Sequence, residues 1–221
     1  KSLRWFVFQA LSGATLLALG QPAAADPLDG MVPGGGSWTG AKNPAVDVLA
    51  RTMTIEQTQA KALLNWTKFN IAAGERVHFD QQSSTWVALN HIHDLDPSRI
   101  NGALTAKGQV YLINQNGILF GKGSVVDVHT LVASALNITP DALDNGLTSA
   151  INNENPAFMY AGAMGDVKIE SGAILKTAEG GRIMIFAPQI ENHGEISTPG
   201  GQAVLAASHD KVYLANSDDE N

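Results

Sequence analysis

The chain has 221 residues, 22 glycines, no cysteine and a formal net charge of −7, and 16% of its residues are charged. This length is enough for one domain with a sizeable core. The lack of cysteine excludes a disulfide framework and a cysteine-ligated metal site. The negative balance argues against a nucleic-acid partner, which would favour a basic surface. A glycine-rich and weakly charged composition fits a β-rich protein.

The first 25 residues have the pattern of a Sec-type signal peptide. Lys1 and Arg4 give a positive start, residues 5–19 form an apolar run, and small residues follow. The run is shorter than the roughly 20 apolar residues that a membrane-spanning helix needs. We therefore predict export through the Sec machinery and cleavage between Ala25 and Asp26. The remaining residues, up to 221, are predicted to form one secreted domain.

Short segments with alternating apolar residues follow one another along most of this domain and carry a repeat. Each unit has an apolar residue, then a glycine and then a second apolar residue. The fourth unit contains one added residue. The four units are Ile71–Val77, Phe120–Val125, Ile169–Ile174 and Ile190–Ile196. In addition, Gly181–Ala187 matches Gly201–Ala207 at an offset of about 20 residues, which is within the range of solenoid repeats.

A unit of about 20 residues with two or three short strands cannot bury its own apolar face and must stack on its neighbours. Alternating apolar residues argue against a helical solenoid. We therefore predict an all-β fold, with a parallel β-helix as the best fit and a β-sandwich or meander as the alternative.

Two parts of the domain lack the repeat. Residues 26–50 are rich in proline and glycine and are predicted to cap the N-terminal end. Residues 139–163 are predicted to leave the coil and lie on its surface. Thr139 at the N-cap, Pro140 at the first helical position and Gly146 as a stop indicate a short helix there.

The stretch Lys107–Gly123 places a polar turn between two apolar strands. Asn116 and Gly117 form an Asn-Gly pair, which is a strong turn signal because glycine accepts a positive φ. The turn is either the tip of a hairpin or a corner of a coil, and the glycine register favours a corner. Asn114 and Asn116 are expected to form the turn and to donate to an asparagine ladder between coils.

Candidate sites for chemistry are few. His91 and His93 would lie on one face of a strand, and Asp94 or Asp96 would complete a metal site. We favour a polar loop instead, because the spacing offers no third ligand. Paired carboxylates, including those at residues 218–220, would suggest a polysaccharide lyase or glycoside hydrolase, but they do not lie on a regular strand. We predict no catalytic, cofactor-binding or metal-binding residue.

The stretch Ser98–Gly121 closely resembles the N-terminal secretion domain of two-partner (type V) secretion exoproteins, the filamentous-haemagglutinin-like or haemagglutination activity domain family. The family motif Asn-Pro-Asn-Gly-Ile stands here as Asn114, Gln115, Asn116, Gly117 and Ile118, with glutamine in place of proline. A second family motif, Asn-Pro-Asn-Leu, has no counterpart here. The resemblance runs from about residue 31 to residue 214. Further family-matching positions are Trp66, Phe69, Asn70, Asn90, Ser98, Arg99, Pro188, Asn192 and Gly194.

This resemblance implies a right-handed parallel β-helix (solenoid) with N-terminal capping strands and a short extra-helical excursion. It implies a secretion-targeting and fold-nucleating domain without a cofactor, recognised in the periplasm by the POTRA domains of a partner outer-membrane β-barrel transporter. The protein would be secreted from a Gram-negative bacterium or displayed on its surface.

Residues 217–221 are interpreted as the frayed end of a fragment. Missing downstream regions would then contact host-cell or bacterial surfaces. The whole protein would be an adhesin, a haemagglutinin-like protein, a haemolysin, a toxin carrier or a haem-scavenging protein.

Overall fold

The computed structural model describes residues 28, 30–34, 38–145, 147, 155–162 and 165–214. The predicted signal peptide 1–25 with its cleavage point between Ala25 and Asp26, the helix stop at Gly146 and the frayed end 217–221 lie outside the described residues. Within the described part, no helix is long and apolar enough to cross a membrane.

Short strands dominate the described part, as the alternating apolar pattern predicts. In chain order they are β1 Met31–Pro33, β2 Ala45–Asp47, β3 Thr52–Glu56, β4 Lys61–Phe69, β5 Arg76–Asp80, β6 Val87–Ile92, β7 Ser98–Ile100, β8 Ala103–Ala106, β9 Gln109–Ile113 and β10 Ile118–Phe120. They continue with β11 Val125–Ser134, β12 Asn137–Ile138, helix α1 Pro140–Asn145, β13 Phe158–Met159, β14 Val167–Ile169, β15 Ile174–Ala187, β16 Ile190–Asn192, β17 Glu195–Ser197, β18 Gln202–Ala207 and β19 Lys211–Val212.

The strands wind into a parallel β-solenoid of about six turns, which confirms the predicted fold class. Strands from successive turns pair in parallel, such as β6 with β9 and β10 with β14. The long strands β11 and β15 each pass through a corner. β11 pairs first with β8 and then with β9, so one large sheet covers two faces of the coil. The four-stranded sheet β16-β14-β10-β7 forms the third face.

The predicted 20-residue register is confirmed between β15 and β18. Ile183 pairs with Ala203, Ile185 with Leu205 and Ala187 with Ala207. At the corner before these strands, a Cβ atom on Gly201 would lie 1.8 Å from the carbonyl oxygen of Gly181. Glycine is therefore required there because successive backbones pass too close for any side chain.

One predicted equivalence is wrong by two residues. The fourth repeat unit aligned Ile190 with Ile169, but Ile190 pairs with Val167, and Ile169 pairs with Asn192. The reason is the length of the corner. Four residues separate Ile169 from Ile174, whereas two separate their partners Asn192 and Glu195.

The interior of the coil is apolar because inward-facing residues of every turn stack on those of the next. One such column runs through β3, β5, β8, β11, β15 and β17 and consists of Met53, Val77, Leu104, Val126, Leu175 and Ile196. Outward-facing neighbours in the same strands are more exposed. This is the period-two pattern of a sheet with one buried face.

The N-terminal segment lies antiparallel to the first turn. β1 pairs with β4, and β2 pairs with β3. The carboxylate of Glu75, which is buried, accepts hydrogen bonds from the backbone N–H of Leu28 at 3.0 Å and from the guanidinium of Arg51 at 3.2 Å. A buried charge with these donors ties the beginning of the described chain to the first corner.

The chain leaves the coil after β11 and returns at β14, and the predicted excursion 139–163 falls within this departure. Helix α1 begins at Pro140 as predicted, and Thr139 Oγ1 accepts a hydrogen bond from the N–H of Ala142 at 3.3 Å. β13 then pairs antiparallel with β12 and β19.

The excursion packs on apolar side chains that face outward from the coil. Phe158 stacks on Phe186 with ring centroids 4.6 Å apart, and both rings are buried. The buried members of this outer cluster are Leu89, Tyr111, Ile113, Val132, Leu136, Ile138, Ala142, Leu147, Ala157, Phe158 and Phe186. The described residues of the excursion therefore form a lid over part of the coil.

Candidate functional site

The turn 114–117 is a corner of the coil. β9, which precedes it, pairs in parallel with β6 and β11, and β10, which follows it, pairs in parallel with β7 and β14. The two strands thus belong to different faces and do not form a hairpin. The glycine register predicted this arrangement.

The side chain of Asn114 is fully buried and holds the corner together. Its Nδ2 donates to Ser98 Oγ at 3.0 Å and to the carbonyl of Asp96 at 3.1 Å, and its Oδ1 accepts from the N–H of Asn116 at 2.9 Å. Asn116 Nδ2 donates to the carbonyl of Asp94 at 2.8 Å. Both amides therefore bind the preceding turn of the coil.

The expected asparagine ladder is wrong, because Asn114 and Asn116 do not donate to asparagine side chains of the preceding coil. The preceding coil presents the hydroxyl of Ser98 and two backbone carbonyls where a ladder would need asparagine side chains. The physical role of Asn114 is nevertheless the expected one, because it closes the turn and links two coils. These bonds satisfy both ends of a buried amide, as a low-dielectric interior requires.

The five motif residues separate into two groups by exposure. Asn114, Gly117 and Ile118 are buried, whereas Gln115 and Asn116 are partly exposed. Gly117 has φ of 106°, and a Cβ atom there would lie 2.7 Å from the carbonyl oxygen of Asp166. The corner can therefore offer only Gln115 and Asn116 to a partner without rearrangement.

Asn116 lies between two surface cavities. One cavity, of about 180 Å³, is lined by His91, Ile92, His93, Asp94, Gln115 and Asn116. The other, of about 290 Å³, is lined by Pro97, Arg99, Asn116, Ile118, Leu119, Gly165, Asp166 and Lys168. The corner is thus the ridge between two depressions, which is a shape that an extended segment of another protein can follow.

The first cavity contains the histidine pair. The ring centroids of His91 and His93 are 4.4 Å apart, and His93 Nε2 lies 3.2 Å from Asn65 Oδ1. Burial lowers the pKa of His91 from its ordinary value, and the neighbouring His93 lowers it further. His91 therefore favours its neutral form near neutral pH.

The Asp94 carboxylate serves the turn, and the paired carboxylates at 218–220 lie outside the described residues. Asp94 Oδ1 accepts from the N–H of Asp96 at 3.1 Å, and Asp94 Oδ2 is buried without a hydrogen-bond partner. In the described part of the chain, no group of three or more His, Asp or Glu side chains is arranged to hold a metal ion.

The second cavity has a basic side. Arg99 and Lys168 point outward from β7 and β14, and Lys168 Nζ lies 3.0 Å from Glu191 Oε2. This hydrogen bond and the charge of Lys168 lower the pKa of Glu191. Sequence inspection missed the proximity of Lys168 and of the histidine pair to Asn116. The available signal was the spacing between residues 94 and 116, which corresponds to one turn of the coil.

The other family-matching positions are distributed along the whole coil. Trp66 and Phe69 pack edge to face in the core at 5.2 Å, and Asn90 Oδ1 accepts from Trp66 Nε1 at 2.9 Å. Asn70 Oδ1 accepts from the N–H of Arg99 at 2.7 Å, which brings this position to the edge of the second cavity.

The remaining matching positions, Pro188, Asn192 and Gly194, lie on the last turns. Asn192 Oδ1 accepts from the N–H of Gly194 at 3.1 Å, within a two-residue corner. These residues are therefore not brought to the asparagine corner.

Comparison with known proteins places the chain in a family. The profile of the TPS secretion domain, where TPS stands for two-partner secretion, matches residues 30–221. A heme/hemopexin-binding protein of Haemophilus influenzae strain Rd is 28% identical over 173 residues, which is 77% of this chain and 18% of that protein. A second Haemophilus influenzae protein of the same name is 37% identical over 89 residues, 40% of this chain and 10% of that protein. The chain thus spans less than a fifth of the length of these curated relatives.

Among solved structures, the HMW1 secretion domain from Haemophilus influenzae superimposes with a TM-score of 0.68 at 23% identity, covering 85% of this chain and 50% of that chain. At this identity the match supports the shared fold. The family match covers nearly all of the domain that follows the predicted signal peptide. The chain belongs to the TPS secretion domain family, whose exoproteins are secreted from Gram-negative bacteria or exposed on their surface.

Proposed function

We propose that this chain is the secretion-targeting and fold-nucleating domain of a larger exoprotein, recognised by the POTRA domains of its cognate outer-membrane transporter. The observation that carries the proposal is the family match over residues 30–221. A solenoid grows by stacking each turn on the previous one, so a folded first block is a template for later turns. The domain acts by being recognised and by folding, not by catalysis.

The asparagine corner is the proposed recognition element. The exposure of the motif residues supports this role. Asn114, Gly117 and Ile118 are buried and build the turn. Gln115 and Asn116 reach the surface. The two cavities beside Asn116 provide imidazoles on one side and, on the other, the cation of Arg99 and the cation of Lys168, which Glu191 already pairs. An extended segment of the transporter that crosses this ridge would meet both.

The route and the whole protein are part of the same proposal. Sec-dependent export removes residues 1–25, residues 26–50 cap the coil, and 139–163 form the excursion. The domain then crosses the periplasm to reach its transporter. The whole exoprotein is proposed to be an adhesin or haemagglutinin-like protein, or a carrier that delivers a toxin. Haem binding, which the names of the two relatives state, is not part of the proposal for this chain, because the matched region is only 18% and 10% of those proteins.

The proposal is tested by separating recognition from folding. Gln115→Glu and Asn116→Ala change the accessible residues of the corner, and Asn114→Ala removes the buried amide. We expect the first two variants to keep the thermal midpoint of the wild type within a few degrees, yet to co-purify poorly with the transporter and to be exported less. Asn114→Ala should instead lower the midpoint, since it leaves Ser98 and the N–H of Asn116 without their partner.

A matched control is Asn192→Ala, which removes a similar corner bond at a residue that lines neither cavity. Transporter-dependent export is measured first for the wild-type chain in strains with and without the transporter. Wild-type export by the Gln115 and Asn116 variants would contradict the recognition role of the corner. Equal export with and without the transporter would contradict the proposed function as a whole.

A further inference from the structure

A cavity of about 250 Å³ lies on the outer face of the coil, at the margin of the lid. Its floor is formed by neighbouring strands of the large sheet. Gln109 of β9 stands opposite Thr130 of β11, and Thr130 stands opposite Arg182 of β15. Its apolar wall includes Leu147, which belongs to the outer cluster, and Leu214, which packs against that cluster. The cavity therefore joins the coil to the segments that cover it.

The polar side chains of this cavity supply hydrogen-bond donors, and none of the described residues that line it is a carboxylate. Arg182 contributes a guanidinium with five N–H donors, and no ion pair joins it to a carboxylate in the described part of the chain. Gln109 Oε1 accepts a hydrogen bond from the hydroxyl of Tyr111 at 3.0 Å. The N–H groups of the same amide therefore remain for a ligand.

A hydroxyl and an imidazole from β11 add to these donors. Thr130 Oγ1 lies 3.2 Å from Nδ1 of His129, and only 5% of Thr130 is exposed. This contact occupies one nitrogen of the ring and leaves Nε2 of His129 for a ligand. Polar groups from three adjacent strands thus meet at one cavity, which is the arrangement that fixes the head group of a small ligand.

The donors favour a single carboxylate among small anions. A guanidinium binds both oxygens of a carboxylate in a planar, bidentate arrangement. A phosphate dianion is less favoured, because Arg182 is the one lysine or arginine among the described residues that line the cavity. A second carboxylate on the same ligand would lack a cation for the same reason.

The rest of the lining favours an apolar group on the ligand. Leu147, Met184 and Leu214 line the cavity together with Tyr111, whose side chain is buried. The cavity volume, about 250 Å³, is below the range of about 300–1,000 Å³ that is usual for sites of drug-sized ligands. The cavity therefore suits a small molecule with one ring or one branched chain.

We propose that this cavity binds a small monocarboxylate, with the carboxylate on Arg182 and the apolar group against Leu147 and Leu214. The bound molecule contacts both the coil and the outer cluster, so it fastens the lid to β9, β11 and β15. A ligand that binds only the closed form stabilises that form by mass action. The site is separate from the asparagine corner, and its failure would leave the proposed function untouched.

Three probes test the chemistry of the ligand. Phenylacetate, acetate, which lacks the apolar ring, and phenylacetamide, which lacks the charge, are each titrated into the wild-type chain while its backbone amide signals are followed by NMR. We expect saturable shifts at Arg182 and Met184 with phenylacetate, and at least about tenfold weaker binding of the other two probes. The absence of a saturable shift up to about 10 mM phenylacetate would overturn the proposal. Equal binding of acetate or of inorganic phosphate would overturn it as well.

Two arginine variants test the place of binding. Arg182→Gln removes the cation from an exposed side chain and keeps a polar group. Arg76→Gln is the matched control, because Arg76 is also exposed but does not line this cavity. After circular dichroism has shown that both variants fold, we expect phenylacetate to bind Arg182→Gln at least about tenfold more weakly than the wild type. The control should bind like the wild type. Unchanged affinity in Arg182→Gln would rule out the assigned site.

Hydrogen exchange tests the contact with the lid. Phenylacetate should slow exchange at Asn137–Ile138 and Phe158–Met159 in the wild type, because opening of the lid would release the ligand. In Arg182→Gln the same concentration should leave exchange unchanged. Saturable binding without slower exchange in these two strands would contradict the placement of the ligand against the lid.

Discussion

The apolar cluster inside the coil and the cluster under the excursion are built in different ways. Inside the coil, each buried residue stacks on an equivalent residue of the next turn, as in the column that Met53 begins. Outside, the excursion supplies unrelated residues such as Phe158 and Ile138 to cover outward-facing side chains of several turns. The inner cluster therefore follows the repeat, whereas the outer cluster depends on one non-repeating segment.

The difference has consequences for stability. Loss of an inner residue affects the stacking of neighbouring turns, because a solenoid is stabilised by the interfaces between adjacent repeats. Loss of an outer residue is expected to release the excursion and leave the coil folded, since proteins open in cooperative local units. Three experiments, at Trp66, Phe158 and Tyr111, test this contrast.

The largest effect is expected for Trp66→Ala. Trp66 is fully buried, packs against Trp38 and Phe69, and donates to Asn90 Oδ1. The substitution creates a large cavity and leaves a buried amide oxygen without its donor, so the free energy of unfolding should fall by about 4 kcal/mol or more. Urea unfolding followed by far-UV circular dichroism measures this.

Trp66→Phe is the matched variant, because it keeps a ring in the core and removes the Nε1 donor. We expect a smaller loss than for alanine. A loss below about 1 kcal/mol for Trp66→Ala would show that the inner stack does not depend on this residue.

An intermediate effect is expected for Phe158→Ala. Phe158 is fully buried and stacks on Phe186, but its loss is expected to loosen mainly the sheet of β12, β13 and β19. We expect about 3 kcal/mol of local destabilisation. Hydrogen exchange should accelerate at Asn137–Ile138 and Phe158–Met159 while β9 and β11 stay protected. Equal acceleration in β9 would mean that the lid and the coil unfold as one unit.

A smaller effect is expected from the ionisation of Tyr111 at high pH. Burial beneath the outer cluster raises the pKa of Tyr111 to about 12, although the charge of Arg182 partly opposes this. The raised pKa means that its stabilising contribution is complete below about pH 10 and is lost as pH rises towards 12. We expect the free energy of unfolding to fall by roughly 2 kcal/mol across that interval.

Tyr111→Phe should flatten this alkaline decline, at the cost of the hydrogen bond from its hydroxyl to Gln109 Oε1. Tyr213→Phe, at an exposed position, is the control and should leave the decline unchanged. Denaturation at several pH values between 9 and 12 compares the three proteins. An identical decline in wild type and Tyr111→Phe would show that another group is responsible.

The inner cluster is largely predictable from the sequence, and the outer cluster is not. The match of Ile183 with Ala203 and of Ile185 with Leu205 gave the true register because stacked turns repeat the same environment. Outward-facing Tyr111 and Val132 look like ordinary strand residues, and no periodicity indicates that a distant Phe158 covers them. The misalignment of Ile190 has a related cause, since corner length varies between turns while strand pattern does not.

The candidate site was also predicted only in part, since its turn was predictable and its side-chain partners were not. The Asn-Gly pair and the glycine register indicated a corner, and the structure has one at 114–117. The partners of Asn114 were not predictable, because Ser98 becomes its neighbour only through the pitch of the coil. The same pitch brings His91 and His93 beside Asn116, which a reading of local spacing could not show.

The close approach of Gly201 to Gly181 bears on how such a sequence can change over generations. A Cβ atom on Gly181 would meet the carbonyl oxygen of His129 at 2.0 Å, and one on Gly201 would meet that of Gly181. Both obstructing atoms belong to the backbone, so no change of a neighbouring side chain can make room for a Cβ atom. At Gly200 the obstacle is the side chain of Glu179, at 2.2 Å, which can move or be shortened. The three glycines are thus constrained for different reasons: a change at position 179 would make room at Gly200, where the positive φ of 57° still disfavours other residues, whereas at Gly181 and Gly201 the backbone of the stacked turns leaves no room for a side chain.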